Sequence, residues 1–287
     1  MQLINSQGLS PTQFSHIRQL EALCNDFDGL AMKLNLETLR QRQEEQINDF
    51  LMYDGNLLVG YLALFIFRKD EAEVSAMTHP AYRRRAIFKQ MLAAAQAELQ
   101  QRGIPDFLFI CERGSVTATP VMQTIAARYD FSEYKMTLQR PIQTTNLVPE
   151  LTLRPVEPAD LDLLAEMDVT CFKVPFAAAK QYIGTKLDDP GRRVWVATLK
   201  GVTIGKIHVS VVENESYING FCILPGYRGR GCGKTILSRV VERLVAEQHQ
   251  IISLEVETEN ENALGLYRGV GFEVVTAYDY YRRPVSL

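Results

Sequence analysis

The chain of 287 residues is too long for one small domain and suits two of ordinary size, each able to bury its own core. A hydrophobic share of 46% with 23% charged residues is that of a soluble globular protein, and a net charge of −3 lacks the basic footprint of a nucleic-acid binder. No apolar run approaches the roughly 20 residues that cross a bilayer, since Leu57–Phe67 is short and interrupted by Gly60, and Met1–Ser10 lacks the regions of a signal peptide.

From Thr12 to about Gln43 the pattern is helical, with Phe14, Ile17, Leu20 and Leu23 on one face and a break expected near Asp28 and Gly29. Strands follow at Phe50–Tyr53 and Leu57–Phe67 around the hairpin turn Asp54-Gly55-Asn56, then at Glu73–Thr78. Met91, Leu92, Ala95 and Leu99 mark an amphipathic helix, and Asp106–Cys111 reads as the next strand. Residues 141 to 150, with Pro141, Thr144, Thr145, Asn146 and Pro149, read as a linker. Beyond it come a strand at Leu151–Pro155, a helix from about Pro158 to Asp168, and a loop with a short helix over Cys171–Asp189 that carries Phe172, Val174 and Phe176. Strands are expected at Arg193–Thr198 and Thr203–Val212.

The stretch from Tyr217 to Lys234 is an apolar strand running into a glycine-rich turn, and Ile236, Leu237, Val240, Val241, Leu244 and Val245 then recur at helical spacing. Gly229, Gly231 and Gly233 alternate with Arg230 and Cys232, so the main chain can curl with its N–H groups inward, ahead of a helix whose positive end adds to the charges of Arg228, Arg230 and Lys234. Such a loop is either shaped only for turning or an anion cradle, with phosphate as the guest. A Walker loop would need glycine at 228, where Arg228 stands, and the dinucleotide fingerprint would need glycine at 234, where Lys234 stands.

The order of elements recurs. Pro80, Tyr82, Arg83, Arg85, Lys89, Leu92 and Leu99 align without gaps onto Pro225, Tyr227, Arg228, Arg230, Lys234, Leu237 and Leu244, which implies a duplicated domain. In the first copy Ala86 and Phe88 replace the glycines at 231 and 233, so phosphate binding there is expected to be weaker. No Asn and Tyr pair follows it, and Thr124 or Ala126 stands where the second copy has a phenol.

Downstream, Leu254-Glu255-Val256-Glu257 alternates, so Leu254 and Val256 face a core while Glu255 and Glu257 share the other face, as a solvated edge or a site. Asn262, Ala263 and Tyr267 then lie on a helix that Gly269 or Gly271 ends before a strand at Phe272–Ala277. Read without reference to relatives, Tyr267 could be a core phenol and Asn262 a helix cap. His16, His79, His208 and His249 are isolated, and the five scattered cysteines lack a Cys-x-x-Cys pair, which argues against metal and disulfide frameworks and fits the cytoplasm. Cys232 reads as a small filler residue.

Arg228-x-x-Gly231-x-Gly233 after a strand resembles the acyl-CoA pyrophosphate loop of the GCN5-related N-acetyltransferase (GNAT) family. The segment from Leu254 to Phe272, with the ending Tyr278-Asp279-Tyr280-Tyr281, is similar to the members that acetylate ribosomal-protein N-terminal alanine. The resemblance covers 151–287 well and 1–140 as a worn copy. It implies an α/β fold of two tandem GNAT-like domains, each a central, mostly antiparallel mixed sheet flanked by helices: residues 1–140 degenerate, 141–150 a linker, and 151–287 the acetyltransferase domain.

Position by position, the resemblance implies that Arg228, Gly229, Arg230, Gly231, Cys232, Gly233 and Lys234 hold the pyrophosphate of acetyl-CoA. Backbone groups of Phe221, Cys222 and Ile223 would grip pantetheine and the acyl carbonyl, with Asn262 helping. Tyr267 would protonate the departing thiolate, and Glu255, directly or through water, would take the proton of the incoming amine. Chemistry agrees, because an ammonium cannot attack a thioester until it loses a proton, and a phenol can hand a proton to a thiolate. One departure is that the strand before the loop, where many relatives carry the base, offers only Tyr217 and Asn219, so Glu255 is preferred with Glu257 in reserve.

The expected reaction is direct attack of a primary amine on the acetyl-CoA thioester, with no metal. The acceptor is a small-molecule amine or a peptide N-terminus, and Glu255, Glu257, Glu259 and Asp279 hint at a cationic one. No nucleic-acid or membrane partner is expected, and the protein would be a monomer or homodimer. The alternatives are a protein N-terminal acetyltransferase and a non-catalytic acyl-CoA sensor or interaction module.

Overall fold

The computed structural model describes all residues except 43–44, 141–146, 185–186, 188, 190, 213 and 287, and the side chain of 212. The chain forms strands β1 (Gln2–Gln7), β2 (Ile47–Asp54), β3 (Leu57–Arg68), β4 (Glu71–Thr78), β5 (Asp106–Glu112), β6 (Arg128–Leu138), β7 (Leu151–Pro155), β8 (Arg192–Leu199), β9 (Val202–Val212), β10 (Glu215–Ile223), β11 (Ile251–Glu257) and β12 (Phe272–Pro284). The helices are α1 (Pro11–Asp28), α2 (Leu36–Arg40), α3 (Ile87–Arg102), α4 (Ala118–Thr124), α5 (Leu161–Phe172), α6 (Phe176–Gly184), α7 (Cys232–Ala246) and α8 (Glu261–Arg268).

Two compact units result, Met1–Glu133 with Thr276–Leu287, and Tyr134–Val275. This differs from the sequence division at 141–150, of which 141–146 lie outside the described residues. The reason is strand pairing. In the first unit the strands run β1-β2-β3-β4-β5-β12, and the neighbour of β5 comes from far down the chain, with Tyr278 to Pro284 antiparallel to Glu112 to Asp106. In the second unit the order is β6-β11-β10-β9-β8-β7, with Met136 of β6 buried in that unit's core. Both units mix parallel and antiparallel pairs, with β4 parallel to β5 and β10 parallel to β11.

Local chemistry sets the elements. Ser10 caps α1 through a capping box with Gln13, and Gly29 ends it in the left-handed conformation, which is the expected break. Helix α5 starts at Leu161, after a short 3-10 turn over Pro158–Asp160, so the helix expected from Pro158 begins three residues later and reaches Phe172. Asp160 is buried there, accepting hydrogen bonds from Nη1 and Nη2 of Arg154 and from the Glu157 amide, and the arginine holds its carboxyl below the ordinary range. In the second unit, α7 and α8 cover one face of the sheet over Ile207, Val209, Ile218, Leu254 and Val256, while α5 and α6 cover the other over Val194, Val196 and Cys222.

Candidate active site

In the second unit the parallel pairing of β10 with β11 ends at Ile218 opposite Leu254, and the two strands part beyond it. The same stretch of β10 carries a bulge between Asn219 and Cys222 in its pairing with β9, built on Gly220 at φ 53°. A bulge bends its strand and re-aims the peptide groups. Gly220 is required twice over, by its positive φ and because a Cβ there would lie 3.0 Å from Nδ1 of His208. Phe221, Cys222 and Ile223 follow on one arm of the opening, with Glu255 and Glu257 on the other.

The glycine-rich loop leads from that opening into α7. Gly229 (φ 72°) and Gly231 (φ 77°) are left-handed, and Gly231 is the N-cap of α7 without a side-chain capping bond. The helix begins at Cys232, and its first N–H groups have no intrahelical acceptor. Gly233 is needed for another reason, since an added Cβ would stand 3.2 Å from Leu266 of α8 and 3.3 Å from Ile223. Cys232 is fully buried and fills the core as expected. Arg228 is turned back on the protein, its Nε donating to the Ile223 carbonyl at 2.9 Å and its Nη2 lying 3.7 Å from Cys171 Sγ. Arg230 stacks over Tyr227.

Helix α8 places Tyr267 one residue beyond Leu266, edge-on to Phe272 and against the core that includes Ile223 and Leu254. Burial pushes its phenol up to about 12, so the group stays protonated at neutral pH. Asn260, not Asn262, caps α8 by accepting from the Ala263 amide, and Asn262 is exposed. Along β11, Leu254 and Val256 are buried among core residues, as the alternation predicts. Glu255 is half-buried and accepts a hydrogen bond from the Tyr217 hydroxyl at 3.1 Å, whereas Glu257 is exposed. Asp279 belongs to the first unit, where it pairs with Arg113 at 2.7 Å.

A polar row under α5 and α6 escapes sequence reading. Lys206, His208 and Ser210 alternate along β9 with apolar neighbours, a pattern that suggests a solvated face, yet all three are buried. Lys206 is fully buried and its Nζ lies 2.5 Å from Asp168 of α5. Burial, then the charges of Lys206 and Arg192, hold the His208 pKa well below its ordinary value, so the ring is neutral.

The first unit repeats this layout with different side chains. Arg84 (φ 62°) and Ala86 (φ 59°), which align with Gly229 and Gly231, keep the left-handed backbone although neither is glycine. Pairing of β4 with β5 ends at Val74 opposite Phe109, but the pairing of β4 with β3 runs unbroken from Thr78 to Glu73, so the bulge is missing. The alignment that maps Pro80 onto Pro225 maps Ile110 onto Glu255 and Met122 onto Tyr267, and Met122, not Thr124 or Ala126, is the α4 side chain turned into the core. A cavity of about 1080 Å³ opens here, lined by Thr78, Ala86, Phe88, Cys111 and Met122 among others. A cavity of about 550 Å³ in the second unit, beside Trp195 and Arg239, lies apart from the loop and strand opening.

The acetyltransferase (GNAT) family model matches residues 16–123 and 161–272, once in each half. The chain belongs to this family, and the activity that goes with it is acetyl transfer to amines. It is 26% identical over 295 residues to the mycothiol acetyltransferase of Mycolicibacterium smegmatis, covering 93% of this chain and 94% of that one. Over 132 residues it is 30% identical to the [ribosomal protein bS18]-alanine N-acetyltransferase of Haemophilus influenzae, covering 45% of this chain and 86% of that one. In fold it matches a tandem GNAT protein from the clavulanic acid biosynthesis pathway with a TM-score of 0.79 at 14% identity, over 99% of this chain and 98% of that one. No helix among the described residues is long and apolar enough to cross a membrane, and no group of three or more His, Cys, Asp or Glu among them could hold a metal ion.

Proposed function

We propose that the second unit carries the transferase site and that acetyl-CoA is its acyl donor. The observation that carries this reading is the left-handed pair Gly229 and Gly231 opening α7 where β10 and β11 part. Amide groups and the helix end would hold the diphosphate, assisted by Arg230 and Lys234. Arg228 would act from its bond to Ile223, bracing the loop against the arm of β10 that carries the pantetheine contacts of Phe221, Cys222 and Ile223. Asn262, freed from capping, would flank the same channel.

In this reading Glu255 takes the proton of the incoming amine, held in place by Tyr217. Its half-buried position at the parting of the strands supports it over Glu257, which is exposed. The free amine attacks the thioester carbon, and Tyr267 gives its proton to the leaving sulfur. Desolvation suits this donor, because the phenol does not ionise beforehand. The carboxylates of Glu255 and Glu257 on one strand face favour a cationic amine as acceptor, small or at a peptide N-terminus. The first unit would be a degenerate copy, with Ile110 and Met122 where the second has its carboxylate and phenol. Five free cysteines support a cytoplasmic setting.

Release of free thiol from acetyl-CoA, measured against small amines, aminoglycosides, polyamines and N-terminal peptides, tests this. Thiol release with at least one class is expected. Tight acetyl-CoA binding without release for any of them would reject catalysis and leave a binding module.

A further inference from the structure

Cys171 lies in the last turn of α5 and packs against the cluster that contains Cys222, which stands in the bulged arm of β10. The two stand far apart in the sequence and form no Cys-x-x-Cys pair. Cys222 is buried among Leu164, Ala165 and Val196, while Cys171 packs at the edge of that cluster and is half-exposed. Cys171 Sγ also lies 3.7 Å from the Arg228 guanidinium and 3.7 Å from the Ile223 carbonyl. Thus one thiol is reachable from solvent beside a fixed cation, and a second, sheltered thiol lies in the same cluster.

We infer that Cys171 and Cys222 form an oxidation site, in which peroxide attacked by Cys171 is resolved by Cys222 into a reversible disulfide. The interaction with Cys222, helped by the hydrogen bond and charge of Arg228, outweighs burial and lowers the Cys171 thiol below its ordinary range, while the same interaction and burial raise Cys222 above it. The chemistry balances with hydrogen peroxide as oxidant. The thiolate sulfur attacks one peroxide oxygen, the O–O bond breaks, and the released hydroxide takes up a proton to leave a sulfenic acid and water. The Cys222 sulfur then attacks the sulfenic sulfur, the S–O bond breaks, and the second water departs with the Cys222 proton. Both thiols are oxidised and the peroxide is reduced to two waters.

Closing the bond brings the two sulfurs to about 2.05 Å. That ties α5 to the arm carrying Phe221 and Ile223 and deprives Arg228 of its thiolate partner. If that arm holds pantetheine, as proposed above, oxidation weakens acetyl-CoA binding. The cross-link itself does not depend on that reading.

The full chain, reduced and freed of reductant, is treated with equimolar hydrogen peroxide, digested without reduction, and analysed by mass spectrometry. A peptide pair joined through Cys171 and Cys222 is expected, lost again after dithiothreitol. Acetyl-CoA affinity, followed by calorimetry, falls at least fivefold on oxidation and recovers on reduction. Cys171→Ser abolishes the cross-link and the peroxide sensitivity, and Cys171→Ala does the same should the serine variant melt early. Two free thiols at 171 and 222 after peroxide would overturn the proposal, as would equal peroxide sensitivity in the Cys171 variants. A cross-link without change in acetyl-CoA affinity would uphold the oxidation site and reject the pantetheine assignment instead.

Discussion

The Tyr217 hydroxyl donates a hydrogen bond to Glu255 across the first gap where β10 and β11 cease to pair. The bond holds the Glu255 carboxylate on β11 one residue beyond the last paired position. Glu255→Gln removes its basicity while keeping its shape. Turnover at saturating amine is expected to fall by about 10²- to 10⁴-fold with acetyl-CoA affinity unchanged. Glu257→Gln, at an exposed position, should stay within about threefold of wild type. Steady-state kinetics on the two variants, with acetyl-CoA binding measured separately, decide between the carboxylates.

Tyr267→Phe deletes one oxygen from a desolvated ring and leaves the packing on Phe272 intact. Turnover should drop by well over tenfold, with acetyl-CoA affinity almost unaltered, because the phenol acts on the leaving sulfur and not on the bound donor. Equal turnover in the two proteins rejects the acid role.

Much of this was legible from residue spacing alone. The glycines at 229 and 231, the alternation of β11 and the duplication are short-range patterns, and the structure has the curl, the two faces and the repeated element order they imply. The pairing of β5 with Tyr278–Pro284 was not legible, because a strand's pattern specifies which face is buried and not which distant strand lies beside it. The burial of Lys206 was not legible for a related reason: alternating polar residues along a strand do not show which helix lies over them, here α5 with Asp168. Of the two readings of Asn262, the helix cap falls instead to Asn260, which offers the same side chain two residues earlier.

Asp168→Ala strands the Lys206 charge in a fully buried position and is expected to cost about 3 to 5 kcal/mol. Replacing both partners, Asp168→Leu with Lys206→Met, should recover most of that loss. Urea unfolding of the two variants and the wild type gives the comparison.

Buried neutral, His208 has a folded pKa below its unfolded value near 6.5. Its contribution is therefore intact above that pH and is lost as pH falls, because the unfolded chain binds a proton that the folded one refuses. Between pH 7.5 and 5.5 the wild type should lose about 1 kcal/mol more than His208→Gln. Denaturation midpoints at the two pH values measure it.

In the first unit, Ala86 holds a left-handed backbone that costs a side-chain-bearing residue about 1 kcal/mol or more. Ala86→Gly should accordingly raise the stability of the protein by roughly 0.5 to 1 kcal/mol. Thermal unfolding detects the gain, and an unchanged or lower midpoint contradicts it.

The neighbour of β5 is made only after all of Tyr134–Val275 has been synthesised. Until then the nascent first unit presents a bare row of backbone donors and acceptors on β5, next to a half-formed cluster that still lacks Tyr278 and Tyr280. On the ribosome the two units therefore mature in the reverse of the usual order, the later-synthesised one being complete first. A chain stalled before Thr276 would leave a sticky strand edge for chaperones to cover.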